Sequence, residues 1–239
     1  MKLDNMLSGS VQGFGFSAVR PEILGATEYT LVTLVLDKTG SVASFSKDLF
    51  AIKQRVVEAC RKSPRADYVL LRVVEFNSSV DEVHGFVPLP QVDASTYTEP
   101  VCSGSTALYD ATYSSIGATR KYANTLADQE YLVNALVVVA TDGEDNASRF
   151  RADDVKKEIA KVVGDEQLES LKTILVAVNA GGCGASLQRF ASDAGIDEYV
   201  DVGDATPGKL AKLAAFVSQS ISTTSQALGT GGPSQAIVF

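Results

Sequence analysis

Continuous apolar runs alternate with amphipathic stretches along most of this chain. Leu31 to Leu36, L-V-T-L-V-L, is apolar and β-branched without a break and ends in Asp37, the pattern of a parallel strand buried on both faces. Phe45, Leu49, Ile52, Val56 and Cys60 then recur at the spacing of one helical face, with Lys47, Arg55 and Lys62 elsewhere on the wheel. Residues 68–76 (Y-V-L-L-R-V-V-E-F) predict a second buried strand, and N-S-S turns into a short return strand over 80–86 at a sheet edge. After a Pro- and Thr-rich loop, Leu108, Ala111, Ser115, Ala118 and Tyr122 mark a helix with Thr106 at or near its first turn, beside free backbone N–H groups.

The same alternation continues to the end. Residues 135–141 (A-L-V-V-V-A-T) predict a third buried strand, followed by Asp142. Val155, Ile159 and Val162 give a helix, 171–178 a fourth buried strand, Leu187, Phe190, Ala191 and Ala194 a helix, and 199–202 a short strand. Leu210, Leu213, Val217 and Ile221 place a last helix. Strands alternating with helices of this length predict an α/β fold: a doubly wound, Rossmann-like, mainly parallel sheet with one antiparallel edge strand and helices on both faces. Residues 1–26 lack a helical period and read as an N-terminal arm, 27–225 as one domain, and 226–239 as a flexible tail rich in Ser, Thr and Gly.

Composition narrows the function classes. A chain of 239 residues that is 45% hydrophobic can bury one sizeable core. Its net charge of −8 opposes non-specific binding to nucleic acid or to an anionic membrane, since both need a basic face. The sequence shows neither a signal-peptide core nor a run long enough to span a membrane, so the expected location is the cytoplasm. Cys60, Cys102 and Cys183 lack the spacing of a disulfide framework or a zinc site. His84 is the single histidine, and it reads as a strand residue rather than a catalytic base.

The candidate chemistry lies at strand ends. In open α/β sheets ligands bind outside the carboxyl ends of the strands, where strand order reverses. Asp37, Thr39 and Ser41 gather at one such end and Asp142 at another, and if the two strands are neighbours both carboxylates face one crevice with the Thr106 loop above it. Oxygen-only side chains of this kind suit a hard divalent cation. A D-x-T-G-S turn alone is also the composition of a helix cap. Glu144, Asp145 and Asn146 read as solvated loop residues, and Asp110 as a favourable partner of the helix dipole.

The motifs D-K-T-G-S, S-G-S-T-A-L-Y-D-A and A-T-D-G-E-D-N, in this order on these elements, resemble those of the von Willebrand factor A (vWA) domain with its metal-ion-dependent adhesion site (MIDAS). The likeness covers about residues 27–225. The family's first motif is D-x-S-x-S; here Thr39 takes the first hydroxyl position, keeping the oxygen and adding a methyl group. The resemblance implies that the hydroxyls of Thr39, Ser41 and Thr106 reach a metal directly, while Asp37 and Asp142 hold it largely through water. Mg2+ is the expected ion, with Mn2+ or Ca2+ as alternatives. With mostly neutral inner ligands, such an ion keeps the positive charge needed to capture an Asp or Glu of a protein partner. The implied function is therefore a non-enzymatic interaction module, for example an adaptor or assembly factor of an AAA-type ATPase. A metal-dependent hydrolase such as a phosphoesterase, and a purely structural subunit, are the alternatives.

Overall fold

A computed structural model gives the fold and describes residues 3–165 and 167–230. Its strands are β1 (Met6–Val11), β2 (Phe14–Val19), β3 (Glu28–Asp37), β4 (Val69–Phe76), β5 (Val80–Pro88), β6 (Leu132–Thr141), β7 (Ser170–Val178) and β8 (Glu198–Gly203). The helices are α1 (Ser46–Arg61), α2 (Leu108–Ala127), α3 (Ala152–Gly164), α4 (Gly184–Ala194) and α5 (Pro207–Thr230). One sheet runs in the order β1-β2-β5-β4-β3-β6-β7-β8. β4, β3, β6, β7 and β8 are mutually parallel, and β5 is antiparallel to β4.

Alternation along β3 explains the two-layered core. Leu31 and Val35 face one side, where they join Ile116 and Tyr122 of α2, Val155 of α3 and Phe190 of α4. Val32 and Leu34 face the other, against Ile52 and Val56 of α1 and Leu213 and Val217 of α5. Both faces of β3 are thus covered, which is why its sequence is a continuous apolar run. Each fully buried side chain of this size contributes about 1.5–3 kcal/mol relative to exposure. α1 also carries Lys53 into this interior, where its ammonium pairs with Glu75 of β4 at 2.7 Å.

The expected N-terminal arm has a more definite form over residues 6–19. β1 and β2 make an antiparallel hairpin, closed by Gln12 and Gly13 at φ 49° and 92°, the left-handed pair that matches strand twist. The hairpin extends the antiparallel side of the sheet by pairing Ala18 with Phe86 of β5. Gly85 makes this possible, because a Cβ there would collide with the Ser17 carbonyl oxygen. Glu82 locks the joint: one carboxylate oxygen accepts from Ser17 N–H at 2.9 Å and its hydroxyl at 2.6 Å, the other from Arg72 Nε at 2.6 Å. α5 continues to Thr230, beyond the boundary expected at 225; residues 231–239 of the expected tail lie outside the described residues. No helix among the described residues is long and apolar enough to cross a membrane.

Candidate functional site

β3 and β6 are hydrogen-bonded neighbours, with Leu36 opposite Ala140. β3 continues to β4 on one side and β6 to β7 on the other, so the crevice above their carboxyl ends is the switch point of the sheet. Asp37, the last residue of β3, and Asp142, the first after β6, therefore project into the same place.

Their hydrogen bonds form one network. Asp37 accepts the Thr39 N–H on one oxygen at 2.7 Å and the Thr141 hydroxyl on the other at 2.6 Å. The Ser41 hydroxyl donates to Asp142 Oδ1 at 2.9 Å and lies 3.0 Å from the Thr39 hydroxyl. Asp37 is 1% exposed and Asp142 8%. Burial pushes the Asp37 carboxyl up to about 6, against its bonds from Thr141 and Thr39, and the Asp142 charge adds to the rise. Burial also raises Asp142, opposed by the Ser41 hydroxyl. Lys38, the one basic residue inside the three motifs, makes its ion pair with Asp81 at 2.8 Å.

Thr106 enters through its backbone. The loop before α2 rests on the β3 turn, with Ser103 N–H on the Lys38 carbonyl at 3.0 Å and Gly40 N–H on the Gly104 carbonyl at 3.5 Å. On its other side, Thr106 N–H donates to Asn146 Oδ1 at 2.8 Å, and its carbonyl accepts Asn146 N–H at 2.9 Å. Thr106 is buried between the two strand-end loops and precedes α2 by two residues. The sequence-predicted set thus converges from three crossings, with Asp37, Thr39, Ser41 and Asp142 joined by side-chain bonds and Thr106 held beside them.

Three expectations change. The N–H groups at the start of α2 are not free: Asp145 accepts from Tyr109 N–H at 3.2 Å, the Ser148 hydroxyl from Asp110 N–H at 2.9 Å, and the Asn77 carbonyl from Ala107 N–H at 2.8 Å. Asp145 is therefore a half-buried cap of the helix rather than a solvated residue, and Asn146, exposed as expected, also caps the Thr106 loop, since orphan N–H groups at a helix start recruit whatever acceptor lies in reach. Glu144 is exposed, as expected. Asp110, read as a dipole partner, uses one oxygen to bind the N–H groups of both Arg149 and Phe150, at 3.0 and 2.9 Å. A sequence signal for these roles is the bare Ala107 at the cap position of α2, which leaves its N–H groups to distant partners.

His84 lies outside the site. Its Nδ1 donates to the Gly85 carbonyl at 2.9 Å and its Nε2 accepts from the Tyr97 hydroxyl at 2.8 Å, and burial lowers its pKa. Among the described residues no three Asp, Glu, Cys or His side chains cluster as a metal set; the crevice offers two carboxylates and three hydroxyls instead. This all-oxygen donor set fits a hard divalent cation and does not fit a soft one.

No protein-family model and no curated relative matches the sequence. Solved structures do match. The PilB minor pilin from Streptococcus sanguinis aligns over 95% of this chain and 68% of its own, at 14% identity and TM-score 0.58. A von Willebrand factor type A structure from Catenulispora acidiphila aligns over 87% of this chain and 44% of its own, at 13% identity and TM-score 0.54. The fold is the vWA fold. A third structure, proximal thread matrix protein 1 from the mussel byssus with a zinc-occupied MIDAS motif, aligns over 82% of this chain and 46% of its own, at 17% identity and TM-score 0.53. The chain spans less than half the length of the last two, so the likeness is one of a vWA unit to part of a larger protein. Within this vWA fold, the Asp37 and Asp142 crevice occupies the strand-end position that the sequence motifs anticipated.

Proposed function

We propose that the chain is a protein-interaction module that holds a divalent cation, Mg2+ before Mn2+ or Ca2+, and captures an Asp or Glu carboxylate of a protein partner. The observation that carries this reading is the pair of buried carboxylates in one crevice, with hydroxyls between them and the adjacent Lys38 turned to Asp81. Two like charges desolvated together call for a cation. Asp37, Thr39, Ser41, Thr106 and Asp142 are the residues that would hold it. The ion would supply an electrophilic position for an external carboxylate, and the chain's own groups would orient it. The Thr39–Ser41–Asp142 bonds align the hydroxyls before any ligand arrives, which reduces the ordering cost of binding.

Capture without turnover is favoured by how the neighbouring groups are used. Both Asp37 oxygens accept hydrogen bonds, and His84 is held by Gly85 and Tyr97. Asp37 and His84 are thereby engaged, which disfavours either as the base that would activate a water. Three unpaired cysteines suit a reducing compartment, and within this proposal the module serves as an intracellular adaptor, an AAA-type ATPase being one partner class.

Affinity capture with the intact chain, run in Mg2+ and in chelator, tests the reading. Partner recovery should require the metal and fail for Asp37→Ala with the fold intact. Equal recovery in all arms would refute it, and metal-dependent phosphatase or esterase turnover lost in Asp142→Ala would replace it with the hydrolase reading.

A further inference from the structure

The two edges of the sheet are guarded differently. β8 closes the parallel side with Glu198, paired with Lys172 at 2.9 Å, and with the exposed Asp201. β1, at the other edge, reads M-L-S-G-S-V, and residues 5–19 carry no charged side chain. Among the described residues no strand pairs with its outer side. Edge strands of folded proteins commonly carry charges, prolines or bulges that turn away a further strand. β1 has none of these, since its register with β2 runs unbroken from Met6↔Val19 to Val11↔Phe14.

That register fixes which backbone groups face outward. The tight loop at Gln12 and Gly13 makes Val11 and Phe14 a hydrogen-bonded pair, so by alternation Gly9 and Leu7 also direct their N–H and C=O groups to β2. Met6, Ser8 and Ser10 turn theirs to the open side. Two contacts agree with this parity: the Asn5 carbonyl accepts Arg20 N–H at 2.9 Å, towards β2, and the Ser10 carbonyl is reached from α2 by Lys121 Nζ at 2.6 Å. Ser8 and Ser10 are exposed, as are Lys121 and, just before β1, Asp4.

We infer that β1 pairs antiparallel with β1 of a second copy of this chain, about a two-fold axis at Ser8, and joins two sheets into one. Pairing centred there sets Ser8 against Ser8 and Met6 against Ser10 of the second copy, so each outward N–H meets an outward C=O. The strand complements itself because it is uncharged: no like charges meet across the axis, although each copy carries a net charge of −8. The same register brings Asp4 of each copy towards Lys121 of the other at both ends of the ribbon, an opposite-charge match. An unrelated extended segment lacks this reciprocal match. A ribbon of this length is a small interface, so the association is weak and concentration-dependent.

Sedimentation equilibrium of the full chain, from micromolar to millimolar concentration, tests this beside Ser8→Pro and Ser8→Lys. Proline at this position removes only the outward N–H and leaves the bonds of Leu7 and Gly9 to β2, and lysine sets two ammonium groups face to face at the axis. The parent should pass from monomer to dimer over this range. Each variant should need roughly tenfold or more higher concentration to do so. In dilute solution the amides of residues 14–19 should exchange alike in all three proteins, which shows that the hairpin itself survives. A parent that stays monomeric at every concentration would overturn the inference, and so would a dimer that neither substitution at Ser8 weakens.

Discussion

At the scale of single residues, the site is a balance between desolvated charge and hydrogen bonds. Asp37 titrates near 6 instead of 3.8 because burial outweighs its bonds from Thr141 and Thr39. With the folded value above the unfolded one, the folded chain binds more protons between these values. Asp37 therefore supports stability below the window and loses that support as pH rises through about 6. In chelator, Asp37→Asn should gain on the order of 2–3 kcal/mol over the parent chain between about pH 4 and pH 7.5, read by urea unfolding at both values. An equal difference at both pH values would show that the carboxylate carries no desolvation cost. Asp110 makes the opposite case, since its oxygen serves the N–H groups of Arg149 and Phe150. Asp110→Ala should cost about 1–3 kcal/mol and speed amide exchange at those two positions, whereas an exposed dipole partner would cost only about 0.3–1 kcal/mol. Asp37 and Asp142 were legible in the sequence because each follows an apolar strand directly. The caps Asp145 and Asn146 were not, because their partners Tyr109 and Thr106 lie 36 and 40 positions away, and no local pattern encodes a contact between loops.

At the scale of elements, the readable strands are those buried on both faces. β3, β4, β6 and β7 announce themselves as unbroken apolar runs because helices cover both sides of the sheet. The β1–β2 hairpin was hidden for the converse reason: it is short, interrupted by Gly9, Gly13 and Gly15, and only partly buried. Its attachment depends on a contact that the sequence does not display, the approach of Ser17 to Gly85. Gly85→Val should separate β2 from β5 and leave Glu82 without its Ser17 partners, destabilising the chain by about 2 kcal/mol or more. Amides of residues 6–19 should then exchange faster than those of β6. Retained protection of the hairpin would show that Gly85 is not what admits β2. The hairpin also meets the site's outer loop, since Arg149 lies 4.4 Å from the Phe14 ring centroid and donates to the Gln12 carbonyl. Lys53 was missed for a similar reason: it falls within the Ile52–Val56 stripe of α1, but a lysine reads as surface until Glu75 is placed beside it.

At the scale of the whole molecule, the vWA fold brings three separate crossings to one strand-end crevice. The parallel sheet orients Asp37 and Asp142 towards the same opening, and the loop before α2 closes over them through paired backbone bonds at Gly104 and Thr106. That network fixes the donors in place before any ligand arrives, which is what the proposed capture of an external ligand requires. The central claim is that these donors hold a divalent cation, and Mn2+ titration followed by electron paramagnetic resonance tests it most directly. The intact chain should bind the ion saturably and release it to Mg2+, and Ser41→Ala and Asp142→Asn should each weaken binding by roughly tenfold or more while remaining folded. Saturable binding that is equally tight in both folded variants, or none in the parent chain, would contradict the account.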